Sequence, residues 1–337
     1  MLPEYVKFYY DAFPQYKKNV YMSIYKGIAD QQERIRIYAD RNLVSEDDLL
    51  YIYKSVRFDT PSFYYVRAYS YYVLGDGYEI LPDYIYSREQ IEDYDRKILA
   101  GLEIFDKRFI RPEMTDYEKE VAIHNYLVSS VVYDTDSIET EEKMDAHPEI
   151  YNLIGPLLRK KAVCLGISLA FKFLCDCYKI KSFVISGDSN PAEEDSSGHA
   201  WNVVKLDGEA YHVDVTWDIK DKGAISCIYD HFNLDDHLIR LNHTWDDDIY
   251  PPCTALRYNY YNMNKYYVRR VDQIAGFVAE QAARGADYIT FKFAAEMPEE
   301  SEIIDGIRKG LTDALRFGSF CWSVSTKTHN IYIDLDS

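Results

Sequence analysis

A chain of 337 residues with 47% hydrophobic content is long enough for two or three domains with real cores, and its composition is not that of a disordered protein. Thirty-eight Lys and Arg against 56 Asp and Glu give a net charge of −18, which argues against nucleic acid and anionic membrane surfaces as partners. No apolar run approaches the length needed to span a bilayer, and the opening MLPEYVKFYYDAF has no basic-then-apolar signal pattern. The six cysteines (164, 175, 177, 227, 253 and 321) form no C-x-x-C pair, so reduced thiols are expected, as in a cytoplasmic protein or an unoxidised surface domain.

In chain order, Tyr16 to Arg41 carries helical periodicity through Val20, Ile24, Ile28 and Ile35. Ser45 reads as the N-cap of a second helix. After Pro61 a β-like run, FYYVRAYSYYVL, turns at Gly75-Asp76-Gly77 into YEILPDYIY. Ile91 to Phe109 is expected to be a helix, and Thr115 caps another whose apolar face is Val121, Ala122, Tyr126 and Leu127. His124 on that helix reads as a structural histidine. Thr135 to His147 is polar and reads as a surface loop.

Cys164 opens a stretch with Ile167, Ala170, Phe171, Leu174 and Tyr178 at helical spacing, which puts the thiol in a helix's first turn. There it faces the positive end of the helix dipole, and with the basic run Arg159, Lys160 and Lys161 that field favours a thiolate. Gly166 beside it leaves room for a substrate backbone. SFVISGD reads as a strand, and Ser189 to Gly198 as a loop that either gates a cleft or simply connects. Ala200 to Leu206 and Glu209 to Trp217 read as a hairpin about Asp207-Gly208. With Leu206 paired to Glu209, His199 falls opposite Thr216 and Trp201 opposite Asp214. His199 and Asp214 then share a face as diagonal neighbours. A helix-start thiol with a same-face His/Asp pair is the nucleophile, base and orienter set of acyl transfer. Trp201 and Trp217 flank that face.

The motifs GPLLRKKAVCLGISLAFKFL, GHAWNVVKLDG and YHVDVTWD resemble, in order, the three core motifs of the transglutaminase-like superfamily. The resemblance implies an α+β fold with a papain-like core, in which a Cys helix packs on an antiparallel sheet bearing His and Asp. It implies Cys164 as nucleophile, His199 as general base and Asp214 as its orienter, with no metal and no cofactor. Leu165 departs from the pattern, since bacterial relatives often carry Glu or Gln there. Leu165, Gly166, Trp201 and Trp217 are the cleft candidates. The expected domains are 1–105 (helices and a hairpin), 106–265 (the core) and 266–337 (a small α+β unit). The expected activity is cysteine-dependent acyl transfer on a peptide or protein substrate through a thioester, of protease, deamidase or transglutaminase type. The alternatives are a non-catalytic peptide-binding or assembly module and a peptide N-glycanase-like amidase. His231, His237 and His243 match no metal-ligand spacing. The tail from Val271 onward reads as helix, strand, helix and two paired strands.

Overall fold

The computed structural model describes residues 5–189, 198–219, 229–286, 288–293, 297–316, 319–325 and 329–335. Residues 190–197, in the expected loop, and Cys227 lie outside the described residues.

The chain begins with α1 (Phe8–Ala12), α2 (Gln15–Ala29), β1 (Ile35–Tyr38) and α3 (Glu46–Asp59). Val20, Ile24 and Ile28 are buried along α2, but the helix stops short of the expected Arg41, and Gln31 takes a positive φ of 51°. Ile35 fits both periods, seven residues beyond Ile28 and two before Ile37. The strand wins because Ile35 and Ile37 together point into the core. Ser45 caps α3 in a reciprocal capping box with Asp48. β2 (Val66–Leu74) and β3 (Gly77–Tyr84) form the expected hairpin, and β1 joins it in the order β1-β3-β2.

α4 (Arg88–Phe109) leads to α5 (Asp116–Ser130), which Thr115 and Glu118 cap reciprocally. The buried face of α5 is Glu120, Ile123, His124, Leu127 and Val128, rotated from the expected Val121, Ala122 and Tyr126. The rotation places His124 inward, where its Nε2 meets Asp218 at 2.9 Å. β4 (Val132–Tyr133) follows. The expected polar loop contains the short α6 (Glu141–Ala146), and β5 (Lys161–Ala162) returns parallel to β4.

Next come α7 (Cys164–Cys177), β6 (Lys181–Ser189), β7 (Gly198–Leu206), β8 (Glu209–Val213), α8 (Val215–Asp218), β9 (Phe232–Leu234), α9 (Asp236–Ile239) and β10 (His243–Thr244). Five of these strands make an antiparallel sheet in the order β10-β6-β7-β8-β9, and α7 packs on β6 and β7. The histidine-rich segment thus supplies both edges of the sheet. The chain closes with α10 (Tyr260–Asn264), β11 (Tyr267–Val268), α11 (Ile274–Ala283), β12 (Tyr288–Phe293), α12 (Glu300–Asp313), β13 (Cys321–Ser325) and β14 (Asn330–Asp334). Its sheet runs β11-β12-β14-β13. One apolar core continues from Tyr9 to Tyr261 and a second from Val268 to Ile333.

The N-terminal residues are tied into the first core by buried polar groups. Asp59 accepts the backbone N–H groups of Tyr9 and Tyr10 and the hydroxyl of Tyr21, while Tyr9 Oη donates to Val184 O at 2.7 Å. Burial nonetheless pushes the Asp59 carboxyl up to about 6. On the outer side of α7, Lys172 Nζ meets Asp176 Oδ2 at 2.7 Å and donates to Val6 O at 3.1 Å, both side chains being fully enclosed.

Candidate active site

Cys164 is the first residue of α7, after Val163 in extended conformation as N-cap, so the N–H groups around it belong to a helix start with no partner inside the helix. The thiol is partly exposed. The basic run beside it does not serve it as expected. Lys160 Nζ donates to Tyr126 Oη at 2.6 Å, Lys161 Nζ pairs with Asp134 Oδ1 at 2.9 Å, and Arg159 is exposed. The local positive field is therefore that of the helix terminus. Gly166 is also placed otherwise. A Cβ there would stand 2.3 Å from Ile150 O, so the glycine lets α7 lie against the preceding chain and does not open a cleft. Leu165 is half-buried beside the thiol. The β4–β5 pairing sets Tyr133 opposite Ala162, two residues before Cys164. Burial, with Cys164 and Asp214 adding to it, pushes the Tyr133 phenol well up, so it keeps its proton.

The hairpin forms with Leu206 paired to Glu209 and with positive φ at both Asp207 and Gly208, the two-residue turn the sequence signals. Its second strand is shorter than expected. It ends at Val213, so His199 does not sit opposite Thr216, nor Trp201 opposite Asp214. His199 pairs instead with Gly187 of β6. Asp214 is a better helix N-cap than strand residue, and its Oδ1 accepts the N–H groups of Thr216 (2.9 Å) and Trp217 (3.3 Å) to start α8. This leaves Oδ2 facing the sheet, 2.7 Å from His199 Nε2.

A second histidine reaches the same oxygen. His243 Nε2 lies 2.9 Å from Asp214 Oδ2, brought there because β10 pairs with the end of β6, His243 opposite Ser189. Among the described residues, His199, Asp214 and His243 are all buried. Burial drives the His199 imidazole down, but Asp214 and the neighbouring Cys164 thiol outweigh it and its pKa is pushed up to about 10. Against its own burial, the Asp214 carboxyl is held well below the usual range, first by His199 and then by His243. His243 is shifted down, by burial first, despite its aspartate.

Trp201 is not a cleft residue. It is fully buried, and its Nε1 donates to His212 Nδ1 at 3.1 Å while its ring stacks on His199 with centroids 5.8 Å apart. Trp217 is partly exposed on α8, edge-on to His199 at 6.5 Å. Of the three spaced histidines, His231 and His243 converge behind the site and His237 is exposed on α9.

Among the described residues, two clusters have metal-ligand residue types: His199, Asp214 and His243, and His212, Asp236 and Cys253. Neither has the donor chemistry of a metal centre. In the first, both ring nitrogens are engaged with the carboxylate oxygen itself at hydrogen-bond distance. In the second, the Trp201 N–H occupies His212 Nδ1, so Nε2 must carry the proton that it gives to Asp236 Oδ1 at 2.9 Å.

The fold is α+β, with the helix that begins at Cys164 packed on an antiparallel sheet. Residues 104–215, which contain Cys164, His199 and Asp214, match the family model described as the transglutaminase-like superfamily, so the chain carries a transglutaminase-like domain over that span. Among solved structures, "Crystal structure of a TGase" is similar at 16% identity and TM-score 0.32, covering 48% of this chain and 46% of that one. "The Crystal Structure of a Putative Cysteine Protease from Cytophaga hutchinsonii to 1.9A" is similar at 13% identity and TM-score 0.25, covering 44% of this chain and 61% of that one. The chain thus spans about half of the first and three-fifths of the second. No curated protein matches it.

Proposed function

We propose that the protein is a cysteine-dependent acyl-transfer enzyme acting at amide bonds of a peptide or protein, with Cys164 as nucleophile, His199 as general base and Asp214 as the group that orients His199. The observation that carries this reading is the buried 2.7 Å contact between His199 Nε2 and Asp214 Oδ2 beside a thiol at a helix start. Because Nε2 is held by Asp214, Nδ1 is the ring nitrogen left for the thiol, and the carboxylate favours the imidazolium that forms when the thiol proton moves.

The Cys164 sulfur attacks the carbonyl carbon, forming an S–C bond and placing the carbonyl electron pair on oxygen. The Cys164 backbone N–H and the Tyr133 hydroxyl are the donors for that oxyanion. His199 returns its proton to the leaving nitrogen as the C–N bond breaks, which leaves a thioester. Water then gives hydrolysis and a second amine gives cross-linking.

The test is intact-mass detection of the acyl-enzyme across a panel of glutamine peptides and activated peptide esters. Wild type should gain one acyl mass. Cys164→Ala should gain none while melting within a few degrees of wild type, since alanine suits a helix start and the site is only partly buried. A wild type inert to the whole panel, or a Cys164→Ala variant that still forms the adduct, would remove the proposal in favour of a non-catalytic peptide-binding module.

A further inference from the structure

Among the described residues β2 pairs only with β3, which leaves its other side open. Every other strand with an open side is short: β1 has four residues, β9 three, β13 five, and β4, β5, β10 and β11 two each, whereas β2 has nine. Short edges resist pairing with another chain, as do edges that carry charge or proline. β1 also carries Arg36, and the irregularity in β2 lies at its start, between Val66 and Tyr69. From Ala68 to Leu74 the sequence AYSYYVL has no charge, no proline and no glycine.

The hairpin fixes which backbone groups face outward. Leu74 and Gly77 close the two-residue turn and exchange both hydrogen bonds, so alternation turns Ser70 and Tyr72 toward β3 and turns Tyr69, Tyr71 and Val73 away from it. Pro82, which has no N–H to give, stands opposite Tyr69, as that alternation requires. The outward N–H and C=O groups are thus spaced evenly about Tyr71.

The side chains along this edge are apolar and accessible. Tyr71, Tyr72 and Val73 are exposed. Toward α3, Tyr69 packs on Tyr53 with centroids 4.3 Å apart, and the Tyr71 hydroxyl donates to Glu46. Glu46, Leu50 and Tyr53 stand at i, i+4 and i+7 on α3, so the exposed Leu50 lies between those two contacts.

Such an edge is complementary to itself. Two copies paired antiparallel about a two-fold axis place one residue opposite its own counterpart, and the outward groups select Tyr71. Tyr69 of each copy then faces Val73 of the other, and about six N–H···O=C bonds close. The same register sets Ser70 opposite Tyr72 and Arg67 opposite Gly75, one residue from Asp76. Opposite charges therefore meet at both ends, and along the strand no charge faces its like. The two Leu50 side chains come toward the axis, as do the two Glu46 carboxylates, each already accepting from its own Tyr71. With a net charge of −18 the copies repel over much of their surface, and an uncharged edge is where they can meet.

We propose that β2 is a homodimerisation edge, through which two copies pair antiparallel over Tyr69 to Val73, centred on Tyr71, and join their three-stranded sheets into one continuous sheet. This pairing is independent of the acyl-transfer reading.

The experiment is sedimentation velocity of the 337-residue chain from about 1 to 100 µM, with amide exchange followed at both ends of that range. Wild type should pass from monomer to a species of twice 39.5 kDa. The amides of Tyr69, Tyr71 and Val73 should exchange more slowly at the higher concentration, and those of Ser70 and Tyr72 should be protected at both. Tyr71→Pro removes an outward N–H and no bond to β3, so it should remain monomeric. Ser70→Lys combined with Tyr72→Lys, both at exposed positions, sets lysine opposite lysine and should also remain monomeric. Ser70→Lys combined with Tyr72→Glu sets opposite charges against each other in this register and should dimerise. A wild type that stays monomeric overturns the proposal and leaves the edge to an extended peptide. A dimer that survives Tyr71→Pro or the lysine pair overturns it as well, as does a Lys/Glu variant no more dimeric than the lysine pair. If Tyr71→Pro does not fold, the two charged variants decide.

Discussion

Replacing Asp214 by asparagine keeps the shape of the side chain and reverses the hydrogen-bonding character of one end. The amide oxygen can keep the Thr216 and Trp217 N–H bonds, and asparagine is as good a helix cap as aspartate, so α8 should survive. The other end becomes NH2 and faces His199 Nε2 at 2.7 Å and His243 Nε2 at 2.9 Å. Both rings must then accept where they had donated. For His199 this drives the proton onto Nδ1, the nitrogen that has to receive the thiol proton. By comparison with the same change in serine triads, the acylation rate should fall about ten-thousandfold, or about 5.5 kcal/mol of transition-state stabilisation. Stability should fall by less. Two bonds to a charged acceptor, worth about 1.5–3 kcal/mol each, are exchanged for two neutral bonds of about 1 kcal/mol. Asp214→Ala loses all of these and the cap as well, and should be the less stable variant. The assay is single-turnover acylation followed by intact mass, beside thermal unfolding of the three proteins. Acylation by Asp214→Asn within about tenfold of wild type would refute the orienting role, and a melting temperature below that of Asp214→Ala would refute the cap argument.

Tyr133→Phe should lower kcat about a hundredfold with KM and melting temperature nearly unchanged, as for loss of one oxyanion donor, and a kcat within twofold of wild type would take Tyr133 out of the site. Stability should depend on pH through His199. Its folded pKa of about 10 lies above the ordinary value of about 6.5, so its contribution is whole below about pH 6.5 and is lost as pH rises through 10. The melting-temperature gap between wild type and His199→Gln should be widest near pH 6 and closed by about pH 10.5; a gap constant over that range would contradict the assignment.

The sequence carried the parts of the site that depend on local chemistry. Asp207-Gly208 announces its own turn, and the turn fixes the register of β7 on β8, whereas His199 is placed by its pairing with Gly187 of β6. Cys164 is legible because the residues after it keep helical spacing. What escaped depends on contacts far along the chain. Nothing around His243 marks it as a partner of Asp214, since it arrives through a two-residue strand on the far edge of the sheet. Tyr133 is hidden among 33 tyrosines and is singled out only by the parallel pairing of β4 with β5. Asp214 was misread as a strand residue because VDVTW alternates, whereas its carboxylate gains more by capping α8. Gly166 was misread because the chain it makes room for is its own.

The ion pair between Lys172 and Asp176 bears on how the protein can be cut. The family match begins at residue 104, an inviting place to start a shortened expression product. Such a product would lack Val6, whose carbonyl accepts from Lys172 and whose N–H lies 3.4 Å from Asp176 Oδ1, and would lack the helices that cover this side of the core. An ammonium and a carboxylate built for a sealed interior would then lie open on the helix that begins with Cys164, beside an apolar surface left bare. Solubility trials on the isolated core would report the loss of that cover as much as any property of the proposed triad, so the first hundred residues belong in any preparation meant to measure activity.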